Sequence, residues 1–171
     1  MPKTPANHPL AGQESYLQQL PAAWLNAFDV NDRINHYRIE NLPLQAWTTK
    51  PPEGKGRTVA AMVAHMHNVR VMWLKATKAE EIPAQLDRFN LTPWQALRSL
   101  EASRHTLSGV MRRALETAGR IKGFRPDVAG FLGYLIAQDA RHRGQITMLA
   151  RQLGYPLPQK ARFGMWEWGS R

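Results

Sequence analysis

Two histidines stand where helix patterns are otherwise apolar. Over residues 58–78, Ala61, Met62, His65, Val69, Met72 and Trp73 recur at spacings of three and four, and His65 is the polar member of that stripe. His67 is two residues on, turned about 160° away on a helix, and is expected at a boundary or outside. Toward the C-terminus, Phe131, Leu135, Gln138, His142, Leu149 and Leu153 line another helical face, with Gln145 and Ile146 beside them. Gln138 and His142 are four apart and sit one above the other; Asp139 and His142 are three apart and also adjacent. Burying polar groups without partners costs several kcal/mol, so the simplest arrangement brings the two imidazoles together. Two imidazoles and one oxygen ligand between facing helices can hold a divalent metal with positions open for water and substrate. The opposing reading is a pair of core histidines bonded to each other or to Gln138.

Four helices are needed to place these groups. Residues 13–42 read as the first, with Val30, Ile34 and Tyr37 in a weak 3–4 pattern. Pro21 either opens its main part or ends a short preceding helix, and Pro43 closes it. The loop TTKPPEGKGR (48–57) holds two prolines and two glycines, and Thr58 then caps a second helix running to about Lys78. Thr92, Pro93 and Gln95 form the capping signature of a third helix, whose stripe is Leu97, Leu100, Leu107, Met111 and Ala114. Gly119 ends it. Pro126 opens the fourth, which stops near Leu153 at Gly154 and Pro156. Gly130 and Gly133 early in that helix suggest close approach of a neighbouring helix. The fold class is therefore all-α, a four-helix bundle. It occupies residues 13–158, after a loose arm at 1–12 and before a tail at 159–171 whose Phe163, Trp166 and Trp168 are expected to pack back on the bundle.

The 171 residues suit one domain able to bury roughly 70% of its unfolded surface. No cysteine is present, which excludes disulfides, thiolate metal ligands and a Cys nucleophile. No signal-like or membrane-spanning apolar run is seen, and a cytoplasmic location is expected. The formal charge of +10 is uneven: residues 1–97 hold 10 Lys/Arg against 8 Asp/Glu, and residues 98–171 hold 13 against 5. Such a basic half suits anionic partners, but no nucleic-acid motif accompanies it, so nucleic acid remains unsupported and a solvated basic surface is the preferred reading. Arg104 falls within the third stripe and either reaches a core carboxylate or an anionic substrate, or snorkels. Arg141 and Arg143 flank His142; both are expected to face water, with a bidentate hold on an acidic substrate by one of them as the alternative. His8, His36 and His105 read as surface residues, and Met62, Met72, Met111 and Met148 as core fillers. Trp73 reads as a core anchor.

The segment AHMHNVRVMW, with His65 eight residues before Trp73, resembles the second-helix signature of DinB/YfiT-like proteins. The segment QDARHRGQITMLARQLGYPLP resembles the family's fourth-helix signature, a His-x-x-x-His followed by Arg-Gly-Gln; its second His is His142, followed by Arg143, Gly144 and Gln145. The proline- and glycine-containing lead into the second helix fits as well, and the resemblance covers about residues 20–158. It implies DinB/YfiT-like topology with an unusual connection order and frequent homodimers. It also implies a divalent metal, commonly nickel or zinc, held by three histidines in enzymes that include thiol-dependent transferases.

The chain departs from that pattern at Gln138, which stands where the first His of the pair is expected. An amide oxygen is a poor ligand for zinc or nickel beside imidazole. The metal set is thus His65, Gln138 and His142, with Asp139 as an alternative recruit, or the metal is absent. Asp139 would otherwise be an outer acceptor or a surface ion-pair partner of Arg143. A metal-dependent transferase or hydrolase acting on a small, anionic or thiol-containing substrate is the leading expectation. A metal-free bundle that binds an anion, or a structural dimer, stands beside it.

Overall fold

The computed structural model describes residues 11–117 and 119–170, with side chains from Tyr16 onward; His8 and most of the expected N-terminal arm lie outside them. The elements are α1 (Ala11–Glu40), α2 (Leu44–Thr48), a 3-10 turn (Pro52–Gly54), α3 (Val59–Thr77), α4 (Pro93–Glu116), α5 (Val128–Gln152) and α6 (Gln159–Gly164). Among the described residues there is no strand, only one isolated bridge between Arg120 and Asp127. No described helix is long and apolar enough to cross a membrane.

Local chemistry sets the helix ends. Thr58 Oγ accepts from the Ala61 amide at 3.2 Å and opens α3. At α4, Thr92 and Gln95 exchange both bonds of a capping box. Asp127, rather than Pro126, caps α5 by accepting from the Gly130 amide at 2.8 Å. Gly154, at φ +82°, takes the left-handed turn that ends α5. Pro21 neither opens nor ends a helix: α1 runs continuously through it.

Four long helices form the bundle. α1 packs on α4 and α5, and α3 packs on the same two, so α1 and α3 lie on a diagonal. One apolar cluster joins Leu25 and Phe28 of α1 to Leu74 of α3, Leu107 and Met111 of α4, and Phe131 and Leu135 of α5. A second joins Ile39 to Val59, Val63 and Met66, to Ala96 and Leu100, and to Ile146 and Leu149. Consequently α1 and α5 run one way, and α3 and α4 the other. Two consecutive parallel helices require the chain to return along the bundle between them. Residues 78–92 do so, held by side chains of α3: Asn68 exchanges two bonds with the Leu86 backbone at 2.8 and 3.0 Å, and His67 Nε2–H donates to the Ala84 carbonyl at 2.9 Å.

Several sequence expectations are corrected by this packing. The buried face of α3 centres on Val59, Val63, Met66, His67, Arg70 and Leu74, so His67 points inward and Met72 is 48% exposed. The reason is that α3 is covered on most sides, which blurs its apolar stripe. Met148 is exposed too, whereas Met62 and Met111 are core. Gly133 meets no neighbour, and a Cβ on Gly130 would meet Pro126 of its own cap, so neither glycine serves a helix crossing. The C-terminal segment seats Leu157 and Ala161 on the bundle while Phe163, Trp166 and Trp168 stay exposed.

Candidate functional site

Between the two apolar clusters lies a polar layer contributed by all four long helices. Arg70 of α3, fully buried, donates to Asp32 Oδ1 of α1 at 2.7 Å, to Asp139 Oδ2 of α5 at 2.8 Å and to the Leu100 carbonyl of α4 at 3.2 Å. Asn31 and Asn35 each donate to the same Asp139 oxygen, at 2.7 and 2.9 Å. Their own amide oxygens accept from Arg143 at 2.6 and 2.9 Å. Burial opposes the Arg70 charge, but Asp139 and Asp32 outweigh it and raise its pKa. Arg104 donates to the half-buried Asp29 at 2.8 Å and comes within 3.7 Å of Asp32, so it reaches a core carboxylate as one reading allowed. Arg38 is fully buried without a hydrogen-bond partner among the described residues; burial, aided by Arg143 and opposed by Asp139, brings its pKa down to about 9.

The histidine pair sits immediately beside this layer. His142, one turn past Asp139 on α5, is buried, and its ring lies edge-on to that of His65 with centroids 5.0 Å apart. Two imidazoles sharing one ion, with nitrogens about 2.0–2.1 Å from it, place their ring centres roughly 4.5–5.2 Å apart. His142 Nδ1 is 2.8 Å from Gln145 Oε1, an acceptor, so Nδ1 carries the proton and the Nε2 lone pair is free. Burial pushes the His65 pKa below its ordinary value, and Arg57, His142 and Arg141 add to the effect. Burial lowers that of His142 as well, against the Gln145 hydrogen bond and with help from Arg141 and Arg57. Both are therefore neutral imidazoles near pH 7, the form that ligates metal.

Gln138 lies one turn before His142. Its two amide atoms are buried and neither has a hydrogen-bond partner among the described residues. An amide so placed is open to a further partner. The donor set is thus two imidazoles and an amide. Among the described residues no three His, Cys, Asp or Glu side chains gather in a way that could hold a metal. Asp139 has no surface role: Arg70, Asn31 and Asn35 all donate to its Oδ2 in the core, while its Oδ1 is buried without a hydrogen-bond partner among the described residues. Arg143 is likewise half-buried and bonded, not directed to water, while Arg141 is exposed. His105 is exposed, and His36 is half-buried with Nε2 3.4 Å from Asp32.

A cavity of about 410 Å³ opens beside the pair. It is lined by Pro51, Lys55, Gly56, Arg57, Met62, Gln145 and Leu149. Gln145 is the residue that orients His142, and Met62 precedes His65 by one turn of α3. Lys55 and Arg57 make this mouth cationic.

Sequence reasoning missed the polar layer. Asn31, Asp32, Asn35 and Arg38 recur at helical spacing along α1, and that run of polar residues is the signal that could have revealed it. It registered instead as a weak apolar pattern.

The architecture defines an all-α bundle with a long return between parallel neighbours and a histidine pair at mid-height. The model of the DinB family matches residues 16–167, and the chain belongs to that family. No curated protein and no solved structure matches it.

Proposed function

We propose that this DinB-family protein is a metal-dependent enzyme whose divalent cation, nickel or zinc, is held between α3 and α5 by His65, His142 and Gln138. The observation that carries the reading is the meeting of two neutral imidazoles at 5.0 Å beside a cationic mouth. Such a cation polarises a substrate oxygen or activates a thiol or water. Gln145 fixes the His142 tautomer so that Nε2 presents its lone pair. Lys55 and Arg57 draw an anionic or thiol-containing substrate toward the pair. The polar layer behind the site fixes the register of α5 against α1 and α3, and so holds His142 opposite His65. The reaction class, thiol-dependent transfer or hydrolysis, rests on the family resemblance.

A second reading is a metal-free bundle that binds an anionic small molecule at the same mouth, favoured by the missing third strong ligand. Elemental mass spectrometry on untagged protein, prepared without chelator, separates the two. The expected result is near-stoichiometric divalent metal that is lost in His142→Ala. Wild-type protein that stays empty after incubation with a panel of divalent ions overturns the metal reading and leaves the anion-binding one.

A further inference from the structure

A second, larger cavity of about 710 Å³ lies on another face of α5, between α1 and the C-terminal segment. Its α5 wall is Ile136, Ala140, Gly144 and Met148, whereas the histidine mouth uses Gln145 and Leu149. The volume is that of a small-molecule site, and most of the lining is apolar. Met148 at 63%, Trp166 at 80% and Trp168 at 40% exposure leave a contiguous apolar surface in water around it, which marks a place where something binds.

The charged groups of this cavity all have one sign. Arg143, Arg151 and Arg162 line it and no acidic residue does. Arg143 is held by Asn31 and Asn35, but the guanidinium groups of Arg151 and Arg162 make no hydrogen bond or ion pair among the described residues. The interior behind the wall is positive too. Arg38, one turn past Ile34 of the lining, is buried without a partner. Together with Arg70, Arg104 and Arg143 it faces Asp29, Asp32 and Asp139, four cations against three anions, leaving one uncompensated positive charge.

We propose that this cavity is a binding site for an amphipathic monoanion, an alkyl or aryl carboxylate. Its apolar body would lie against Ile34, Ile136, Met148 and Trp166, with the carboxylate on Arg151 and Arg162. A guanidinium pairs with a carboxylate through two parallel N–H bonds, and two unengaged guanidinia at one rim suit a single anionic head. Nucleic acid does not fit, because its phosphates would meet an apolar wall. A second copy of this chain is disfavoured, since it brings a like charge of +10 to a rim already cationic. The proposal also gives a role to the charge surplus of residues 98–171, which the histidine site leaves unused.

Calorimetric titration with octanoate and with 1-octanol, its neutral counterpart, tests the idea. Octanoate should bind at one site per chain, at least about tenfold more tightly than octanol. The double variant Arg151→Gln/Arg162→Gln should bring octanoate down to the octanol level and leave octanol binding and the thermal midpoint unchanged. His142→Ala should leave octanoate binding intact, which keeps this site separate from the proposed metal centre. Equal binding of acid and alcohol by the wild type overturns the proposal. So does no binding of either at millimolar concentration, or loss of octanoate binding in His142→Ala. A dimer seen by sedimentation that Met148→Glu dissociates would assign the cavity to a second copy instead.

Discussion

At the scale of single residues, Arg70 is the tie of the bundle. It is fully buried, its guanidinium bridges Asp32 and Asp139, and it stacks over the Phe28 ring at 5.5 Å. A buried ion pair is not by itself strong evidence of stability, because desolvation offsets the attraction; removing one partner is costly because it strands the other. Arg70→Met is therefore expected to lower the unfolding free energy by about 3–5 kcal/mol in urea titrations, since two buried carboxylates lose their counter-charge. A loss below about 1 kcal/mol would mean that water reaches the layer and replaces the guanidinium. The same layer explains Asp139. Its place beside His142 in the chain suggested a ligand or a surface ion pair, and its neighbours on α1 and α3 instead hold its Oδ2 in the core.

At the scale of elements, α5 carries a contrast that spacing alone does not reveal. Gly133 is exposed with no atom within 4 Å of an added Cβ, whereas a Cβ on Gly130 would lie 2.7 Å from Pro126 Cβ. Gly133→Ala is expected to stabilise the protein by about 1 kcal/mol through helix propensity. Gly130→Ala should destabilise it, because the added Cβ runs into Pro126 Cβ and the Pro126–Asp127 cap must shift to make room. Thermal unfolding of the two single variants reads both signs. The caps at Thr58 and Thr92 were legible because capping is a contact between near neighbours in sequence. The phase of α3 was not, because a helix covered on most sides has no single apolar face to read.

At the scale of the molecule, the two layers of chemistry share one pH response. Burial holds His65, His67 and His142 below their ordinary pKa. In the unfolded chain they titrate near 6.5. Below that pH the unfolded state binds protons that the folded state refuses, so stability falls as pH is lowered and levels off once the folded histidines also protonate. For metal-stripped protein, the urea midpoint should be lower at pH 5.5 than at pH 7.5, and His142→Gln should shrink the difference. A midpoint independent of pH in that window would show the three rings to be solvated.

The sequence by itself determined the four helices, most of their ends, the all-α class and the family, since these follow from period, caps and motif spacing within local stretches of chain. It also singled out His65 and His142, because imidazole interrupting an apolar stripe is a local anomaly. The tertiary structure alone decided that α3 and α4 run parallel, which places the return segment 78–92 over His67 and Asn68. It decided that Asp139 and Arg143 belong to the core, and that the aromatic tail rims a cavity rather than filling one. Those outcomes depend on which helices become neighbours. That is settled by matching charges and volumes between segments about 40–110 residues apart, and no local pattern records it.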